Sequence, residues 1–241
     1  MNFQTFSLSK AGGRKINEDY CAHLQLAERA CWLVADGLGG HKGGSVASQT
    51  VVEAFLRTFR EMPSWTEESL GLCLAAAEQH LRKAQEQNAR LSSMMTTLVS
   101  VVSDYQKAVW AYAGDSRLYI FRKGALLFQT EDHSIPQSLV KGGYLKPGEI
   151  RYHEDRNRLL KAMGRGKTNP SVSLTGHAFA RGDAMLLCTD GFWELVLEEE
   201  MEAGLRKAAS PERWLLSLEK LLLQRATGEH DNYTGIAVFI T

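Results

Sequence analysis

The chain has 241 residues, of which 44% are hydrophobic and 23% are charged, a composition typical of globular proteins that form one large domain. Its 28 basic and 28 acidic residues cancel, so no net positive charge favours binding to nucleic acid or to an anionic membrane surface. No apolar run approaches the roughly 20 residues that span a bilayer. The N-terminal residues also lack the basic and apolar regions of a signal peptide.

The cysteines do not suggest a metal or disulfide framework. Cys21, Cys31, Cys73 and Cys188 form no C-x-x-C pair, and three of the four lie in apolar runs. Such residues are typically buried free thiols. They agree with a reducing, cytoplasmic location.

The chain begins with short apolar-rich runs separated by polar or turn residues, a pattern that predicts β-strands. These strands cover Phe3–Leu8, Tyr20–Leu26 and Ala30–Ala35. Glycines then cluster between Gly37 and Gly44. After them, apolar residues recur at every fourth position, at Ala47, Val51, Phe55 and Phe59. This spacing places the apolar residues on one face of a predicted helix.

A second helix is predicted after Ser64-Trp65-Thr66-Glu67, because the serine and the glutamate have the spacing of a capping box. Its apolar stripe consists of Leu70, Leu74, Ala77 and Leu81. Further runs of strand-forming residues follow this helix. They are Thr97–Ser103, Lys107–Ala113 and Leu118–Arg122.

The stretch from Asp132 to Arg158 combines prolines, glycine pairs and many charged residues. It predicts an irregular surface insertion with a short helix near Gln137–Lys141, and long irregular segments of this kind are often functional. Later strands are predicted at Leu159–Met163, Ser171–Leu174, Ala184–Cys188 and Gly235–Ile240. Ser210-Pro211 begins a late helix. Helices grouped between blocks of strands indicate an α+β fold in a single domain over residues 1–241.

Acidic motifs stand at predicted strand ends or in adjoining turns, where a rigid backbone holds a side chain that has no packing role. They are Asn17-Glu18-Asp19, Ala35-Asp36-Gly37, Thr189-Asp190-Gly191 and Asp231-Asn232. Because they are far apart in sequence, we expect the fold to bring their carboxylates together around hard divalent cations. Carboxylate and carbonyl oxygens suit Mg²⁺ or Mn²⁺ rather than zinc.

These motifs and three others resemble the ordered motif set of the PP2C family, which are metal-dependent protein serine/threonine phosphatases. The set is Arg14-x-x-Asn17-Glu18-Asp19, Asp36-Gly37-Leu38-Gly39-Gly40-His41, Thr96-Thr97, Ala113-Gly114-Asp115-Ser116-Arg117, Asp132-His133-Ser134, Asp190-Gly191 and Asp231-Asn232. Each motif alone is weak, but this order over nearly the whole chain is specific. The second motif resembles that of the stand-alone bacterial branch. The resemblance implies a sandwich of two antiparallel β-sheets with helices on both sides.

The resemblance also implies a pair of Mn²⁺ or Mg²⁺ ions and their ligands. Asp36 bridges both ions, Glu18 and the backbone carbonyl of Gly37 bind one ion, and Asp190 and Asp231 bind the other.

Further roles follow from the same resemblance. Asp115 joins Asp190 at a third, weaker ion. Asp19 orients metal-bound water, and Asn232 steadies the loop beside the site. Arg14 holds the phosphate, since its planar fork suits phosphate oxygens.

The implied reaction is hydrolysis of phosphoserine or phosphothreonine in proteins by direct attack of a metal-bridging water. The implied partners are phosphorylated proteins and a cognate serine/threonine kinase, and the protein is expected to be a monomer. Leu38 stands where animal relatives have a histidine that is a candidate proton donor, so the general acid is left open. His41 and His133 are interpreted as structural. The insertion at 132–158 corresponds to the flap of the family, either as a reader of the sequence around the phosphosite or as a solvated charged loop.

Other interpretations of the whole chain are a pseudophosphatase that binds phosphoproteins, a regulatory phosphatase of the partner-switching kind, and a hydrolase of small phosphoesters. Arg14 can also be read as a surface arginine and Asp115 as a turn residue. A P-loop is disfavoured, because Lys42 is followed by Gly43-Gly44-Ser45 rather than directly by serine or threonine.

Overall fold

A computed structural model of the protein describes residues 1–39, 43–62, 67–166 and 170–241. Gly40 and His41 of the glycine-rich motif lie outside these residues, as do residues 64–66 of the expected capping box.

Strands and helices follow one another in the predicted α+β arrangement. The strands are β1 (Phe3–Lys10), β2 (Asp19–Gln25), β3 (Ala30–Leu38), β4 (Met95–Thr96), β5 (Leu98–Ser103), β6 (Lys107–Ala113), β7 (Arg117–Arg122), β8 (Ala125–Gln129), β9 (Ser171–Ala178), β10 (Ala184–Cys188) and β11 (Tyr233–Ile240). The α-helices are α1 (Gly43–Glu61), α2 (Glu67–Gln87), α3 (Ile135–Lys141), α4 (Asp190–Trp193), α5 (Glu198–Leu205) and α6 (Pro211–Arg225). Short 3₁₀ helices cover Ala89–Leu91 and Pro147–Tyr152.

The strands form two antiparallel sheets. The first sheet has the order β1-β11-β10-β7-β8, and the second has the order β2-β3-β5-β6-β9, with β4 paired to β3. The chain ends pair along the whole of β1, from Phe3 opposite Ile240 to Lys10 opposite Tyr233.

Alternation along the strands distributes the core into three layers, since successive side chains point to opposite faces of a sheet. In β3, Trp32 and Val34 pack between the two sheets, whereas Cys31 and Leu33 pack under α1 and α2. On the outer face of the first sheet, strand residues pack against α4, α5 and α6, with Trp214 of α6 fully buried. The predicted sandwich with helices on both sides is confirmed.

One predicted strand is wrong. Leu159 and Met163 make only isolated bridges, to Ser134 and Thr96, and the residues between them are irregular. Their two partners belong to different parts of the fold, so no continuous strand edge is available to pair with this segment. The short elements α4, α5 and β8 were not predicted, because runs of four to eight residues show little periodicity.

No helix in the described part of the chain is both long enough and apolar enough to cross a lipid bilayer.

A buried ion pair joins the first residue of β7 to the start of the insertion. The Nε and Nη2 atoms of Arg117 each donate to one carboxylate oxygen of Asp132 at 2.8 Å. The two side chains are only 4% and 2% exposed. This bidentate geometry compensates in part for the cost of removing both charges from water.

Asp132→Ala is expected to lower the free energy of unfolding by about 3–5 kcal/mol, because it leaves the buried Arg117 guanidinium without its main partner. Lys141→Ala is the control, since the Lys141–Glu131 pair is exposed by 61% and 59%. Its loss should cost less than about 1 kcal/mol. Urea unfolding of both variants measures the difference, and equal losses would contradict this account.

Candidate metal centre

The predicted site residues meet at one end of the β-sandwich. Across β2 and β3, Asp19 lies opposite Asp36, and across β10 and β11, Cys188 lies opposite Gly235. Strand ends from both sheets therefore surround one cavity of about 390 Å³. Its lining includes Arg14, Glu18, Asp36, Gly37, Asp115, Asp190, Asp231 and Asn232.

The Thr96-Thr97 motif holds the backbone of Asp36 on both sides. Thr97 Oγ1 accepts a hydrogen bond from the Asp36 N–H at 2.9 Å. The Asp36 carbonyl accepts one from the Thr96 hydroxyl at 2.7 Å and one from the Thr97 N–H at 2.8 Å. The sequence showed this motif but gave no reason for it, since the pairing joins residues about 60 positions apart.

Asn232 ties the β1–β2 connection to the start of β11. Its side-chain nitrogen donates to the carbonyls of Ala11 and Ile16 at 2.8 and 3.0 Å. Its side-chain oxygen accepts the Glu18 N–H at 2.8 Å. Ser48 of α1 donates its hydroxyl to the Glu18 carbonyl at 2.6 Å. Glu18 is thus fixed from two elements, and Asn232 has the loop-steadying contacts expected of it.

Glycines allow β3 and α1 to approach closely beside Glu18. A Cβ atom on Gly44 would lie 2.6 Å from Glu18 Oε1 and 2.6 Å from the Gly37 carbonyl oxygen. A Cβ atom on Gly37 would lie only 2.1 Å from the Gly44 carbonyl oxygen. The Glu18 carboxylate and the Gly37 carbonyl, expected to bind the same ion, are therefore close neighbours. Sequence reasoning noted the glycine cluster but did not single out Gly44.

The second pair of acidic residues follows β10 and precedes β11. Asp190 begins α4, and its Oδ1 accepts the Gly191 N–H at 2.6 Å. Asp231 Oδ1 accepts the Asn232 N–H at 2.8 Å, and Asp231 Oδ2 accepts from Arg14 Nη2 at 3.1 Å. The side chains of Arg14 and Asp231 remain 55% and 43% exposed. An ion pair this exposed contributes little to stability.

Asp115 lies in the tight β6–β7 connection. Gly114 has a φ of +104°, which favours glycine. The indole N–H of Trp193 donates to the Asp115 carbonyl at 2.9 Å. On the other side, the Gly114 N–H donates to His133 Nδ1 at 3.3 Å, and the His133 ring stacks on Tyr112 with 4.7 Å between ring centroids. These contacts agree with a structural role for His133.

Asp19 has one carboxylate oxygen with a partner and one without. Its Oδ2 accepts the Thr189 hydroxyl at 2.8 Å. Its buried Oδ1 has no hydrogen-bond partner among the residues that the structure describes. Burial raises the pKa of this carboxyl group to about 7. A buried acceptor of this kind requires a donor that the described residues do not supply, such as water.

Burial and mutual repulsion dominate the electrostatics of the site. Burial, followed by repulsion from Asp190, raises the pKa of Asp36 and of Asp115 well above the usual range. Burial, followed by repulsion from Asp231, raises the pKa of Asp190 to about 6. Buried carboxylates in this arrangement are costly unless cations neutralise them.

Residues 9–145 match the family model for protein phosphatase 2C. The chain is also 32% identical over 214 residues to the serine/threonine phosphatase stp of Listeria monocytogenes, an alignment that covers 86% of this chain and 82% of that protein. The chain belongs to the protein phosphatase 2C family.

Solved structures of protein phosphatase 2C relatives share the whole architecture. Stp1 from Staphylococcus aureus superposes with a TM-score of 0.91 at 28% identity and covers 100% of this chain and 96% of its own. The catalytic domain of PstP, crystallised with 2 manganese ions, has a TM-score of 0.85 at 27% identity, over 98% of this chain and 97% of its own. The expected family and fold are confirmed.

The residues of the cavity fit divalent metal ions. Their donors are carboxylate oxygens and the Gly37 carbonyl, which suit Mn²⁺ and Mg²⁺. The unpartnered Asp19 oxygen and the mutual repulsion of the buried carboxylates both favour added positive charge and water. Among the described side chains, no three acidic, histidine or cysteine groups are directed at one point, and Asp231 turns toward Arg14.

Glu194 is a site-adjacent residue that sequence reasoning missed. It follows α4, and its carboxylate forms an ion pair with Arg156 of the insertion at 2.9 Å. Burial, followed by repulsion from Asp190, raises its pKa to about 7. Its position four residues after Asp190, one helical turn away, was the available signal.

Asp36→Asn and Asp190→Asn are each expected to lower phosphoester turnover by at least about 100-fold, or about 2.7 kcal/mol of transition-state stabilisation. Each removes a negative charge where cations must bind. Without metal, both variants should be at least as stable as the wild type, because repulsion is relieved. Steady-state kinetics and thermal unfolding test this. Retention of more than about a tenth of wild-type turnover would refute the assignment.

Gly44→Ala is expected to weaken Mn²⁺ binding, because the new methyl group would contact Glu18 Oε1 and the Gly37 carbonyl at 2.6 Å. Gly71→Ala is the matched control in the first turns of α2, where a Cβ would have nothing within 4 Å. The control should leave Mn²⁺ binding unchanged and stabilise the helix by up to about 1 kcal/mol. Titration calorimetry compares them, and equal Mn²⁺ affinities in the two variants would count against this packing argument.

Proposed function

We propose that this protein is a metal-dependent phosphatase that hydrolyses phosphoserine and phosphothreonine esters in proteins. The observation that carries the proposal is the convergence of acidic residues from distant sequence motifs, with Arg14, on one cavity. Family membership, the names of the serine/threonine phosphatase relatives and the manganese-bound PstP structure confirm the predicted activity and cofactor class.

The proposed ligand set follows the packing of the site. Asp36 is the central carboxylate, because it lies between the Glu18 side of the cavity and the Asp190 side. Glu18 and the Gly37 carbonyl form one ion site, and Asp190 with Asp231 forms the other. Two divalent cations bound by these residues would supply an activated water and would neutralise phosphoryl oxygens.

Additional roles are proposed for the residues around these ligands. Asp115 and Asp190 repel each other across the cavity, which supports a third, weaker ion between them. Asp19 accepts a hydrogen bond from water inside the cavity, and Asn232 fixes the connection that carries Glu18. Arg14, at the cavity mouth, binds and orients the phosphate through its planar fork.

We propose direct hydrolysis without a covalent phosphoenzyme. The described residues that line the cavity include no serine, threonine, cysteine or histidine that could act as a side-chain nucleophile. Leu38 lines the cavity and stands where animal relatives have a histidine that is a candidate proton donor. The side chain of Leu38 cannot donate a proton. We propose that water in the cavity delivers the proton to the leaving alcohol.

A pseudophosphatase or a hydrolase of small phosphoesters is less well supported. A pseudophosphatase does not need a complete carboxylate set, and every predicted ligand lines the cavity here. The insertion also gives the cavity a wall, through Asn157 and the adjacent Leu159, that a protein substrate can contact.

The natural partners are proposed from the same chemistry. Phosphorylated proteins are the substrates, and a serine/threonine kinase in the same cell supplies them. The free cysteines support a reducing, cytoplasmic compartment. We propose a single domain over residues 1–241, because its first and last strands pair in one sheet, and we propose that it is a monomer.

Purified protein should hydrolyse phosphoserine and phosphothreonine peptides when Mn²⁺ or Mg²⁺ is present, and excess EDTA should abolish the activity, because every proposed ligand is an oxygen donor for a hard cation. Phosphate release from phosphopeptides and from a small phosphoester, with and without chelator, measures this. Full activity after dialysis against EDTA would overturn the proposed chemistry. Turnover of the small ester alone would favour the small-molecule alternative.

A further inference from the structure

A buried arginine connects the insertion to the helix that begins with Asp190. Arg151 lies in the 3₁₀ helix Pro147–Tyr152 and is only 7% exposed. Its Nη1 donates to the carbonyls of Trp193 and Val196 at 2.6 and 3.2 Å. Arg151 therefore provides donors to carbonyls at and beyond the end of α4, where helical partners are lacking.

The same arginine shares an anion with the buried pair described above. Arg151 Nη2 donates to Glu198 Oε2 at 2.6 Å, and Arg117 Nη1 lies 3.6 Å from Glu198 Oε1. Because Arg117 also binds Asp132, two cations and two anions form one connected network. Removal of one member leaves the others with unpaired charge in a buried place.

Trp193 is the side chain that this network surrounds. The guanidinium carbon of Arg117 lies 3.4 Å from the centroid of its ring, and that of Arg151 lies 6.0 Å away. Its backbone carbonyl accepts from Arg151, and its indole N–H donates to the Asp115 carbonyl. Trp193 thus bridges the α4 helix, which carries Asp190, and the loop that carries Asp115.

We propose that Arg151 is a positioning residue for the ion site between Asp115 and Asp190. It holds Trp193, and Trp193 sets the separation of the two carboxylates without touching the ion. This inference rests on the proposed function for the identity of the site. Arg151 belongs to the insertion, so its hydrogen bond to Trp193 and the hydrogen bond from Trp193 to Asp115 connect the insertion with the third ion site.

Two variants of the full chain separate this role from general stabilisation. Arg151→Met keeps the length of the stem and removes the donors, and Arg151→Lys keeps the charge but loses the fork. Arg122→Met is the control, because Arg122 binds the buried Asp183 through two hydrogen bonds of 2.9 and 2.7 Å at the opposite end of the sandwich.

Mn²⁺ itself is the probe, with binding steps measured by calorimetry and free Mn²⁺ measured by electron paramagnetic resonance. Arg151→Met should lower the affinity of the weakest Mn²⁺ site by about 10- to 100-fold. The affinities of the tighter Mn²⁺ sites should fall by less than about twofold. The affinity of the weakest Mn²⁺ site in Arg151→Lys should lie between those in Arg151→Met and in the wild type. Arg122→Met should change none of the Mn²⁺ constants, even if it lowers the unfolding temperature.

The proposal would be overturned if Arg151→Met lost the same affinity at every Mn²⁺ site, or if a folded Arg151→Met protein had unchanged Mn²⁺ dissociation constants. Binding of only two Mn²⁺ ions by the wild type would overturn it as well. If Arg151→Met does not fold, Arg151→Lys decides on the same criteria. Wild-type protein that binds three ions but fails to hydrolyse phosphoserine peptides would refute the proposed function, and the positioning role would still be judged by the Mn²⁺ constants.

Discussion

Repulsion between buried carboxylates is the constraint on which the site depends. Asp36, Asp115 and Asp190 lie within one another's electrostatic influence, and burial removes the water that would otherwise screen them. Such a cluster forms only where strong packing elsewhere holds the strand ends together. Divalent cations would offset the electrostatic cost of this repulsion, because carboxylate oxygens are ligands that they prefer.

The backbone around these carboxylates is fixed mainly by neutral hydrogen bonds. Thr96 and Thr97 hold Asp36, Asn232 holds the connection before Glu18, and Trp193 holds the Asp115 loop. Each bond contributes modestly to stability. Their value lies in precision, since a ligand set for two nearby cations tolerates little displacement of its oxygens.

The sequence predicted the layers of the fold and most of the proposed site, because both leave local signals. Apolar alternation and strand-end carboxylates appear within a few residues, and the order of the motifs identified the family. The prediction of a strand at Leu159–Met163 was wrong, because tertiary structure decides which strand edges are available to pair with this segment. The roles of Gly44 and Arg151 were not predicted for the same reason, since they depend on neighbours that only the folded chain provides.

We propose that the carboxylates of this cavity hold a pair of metal ions and that Asp36 bridges the two ions. A crystal structure of the protein soaked with Mn²⁺, with anomalous scattering recorded at the manganese edge, tests it most directly. The account predicts two strong peaks that share Asp36, one beside Glu18 and the Gly37 carbonyl and the other beside Asp190 and Asp231. Manganese peaks away from this cavity, or a single peak without contact to Asp36, would contradict it.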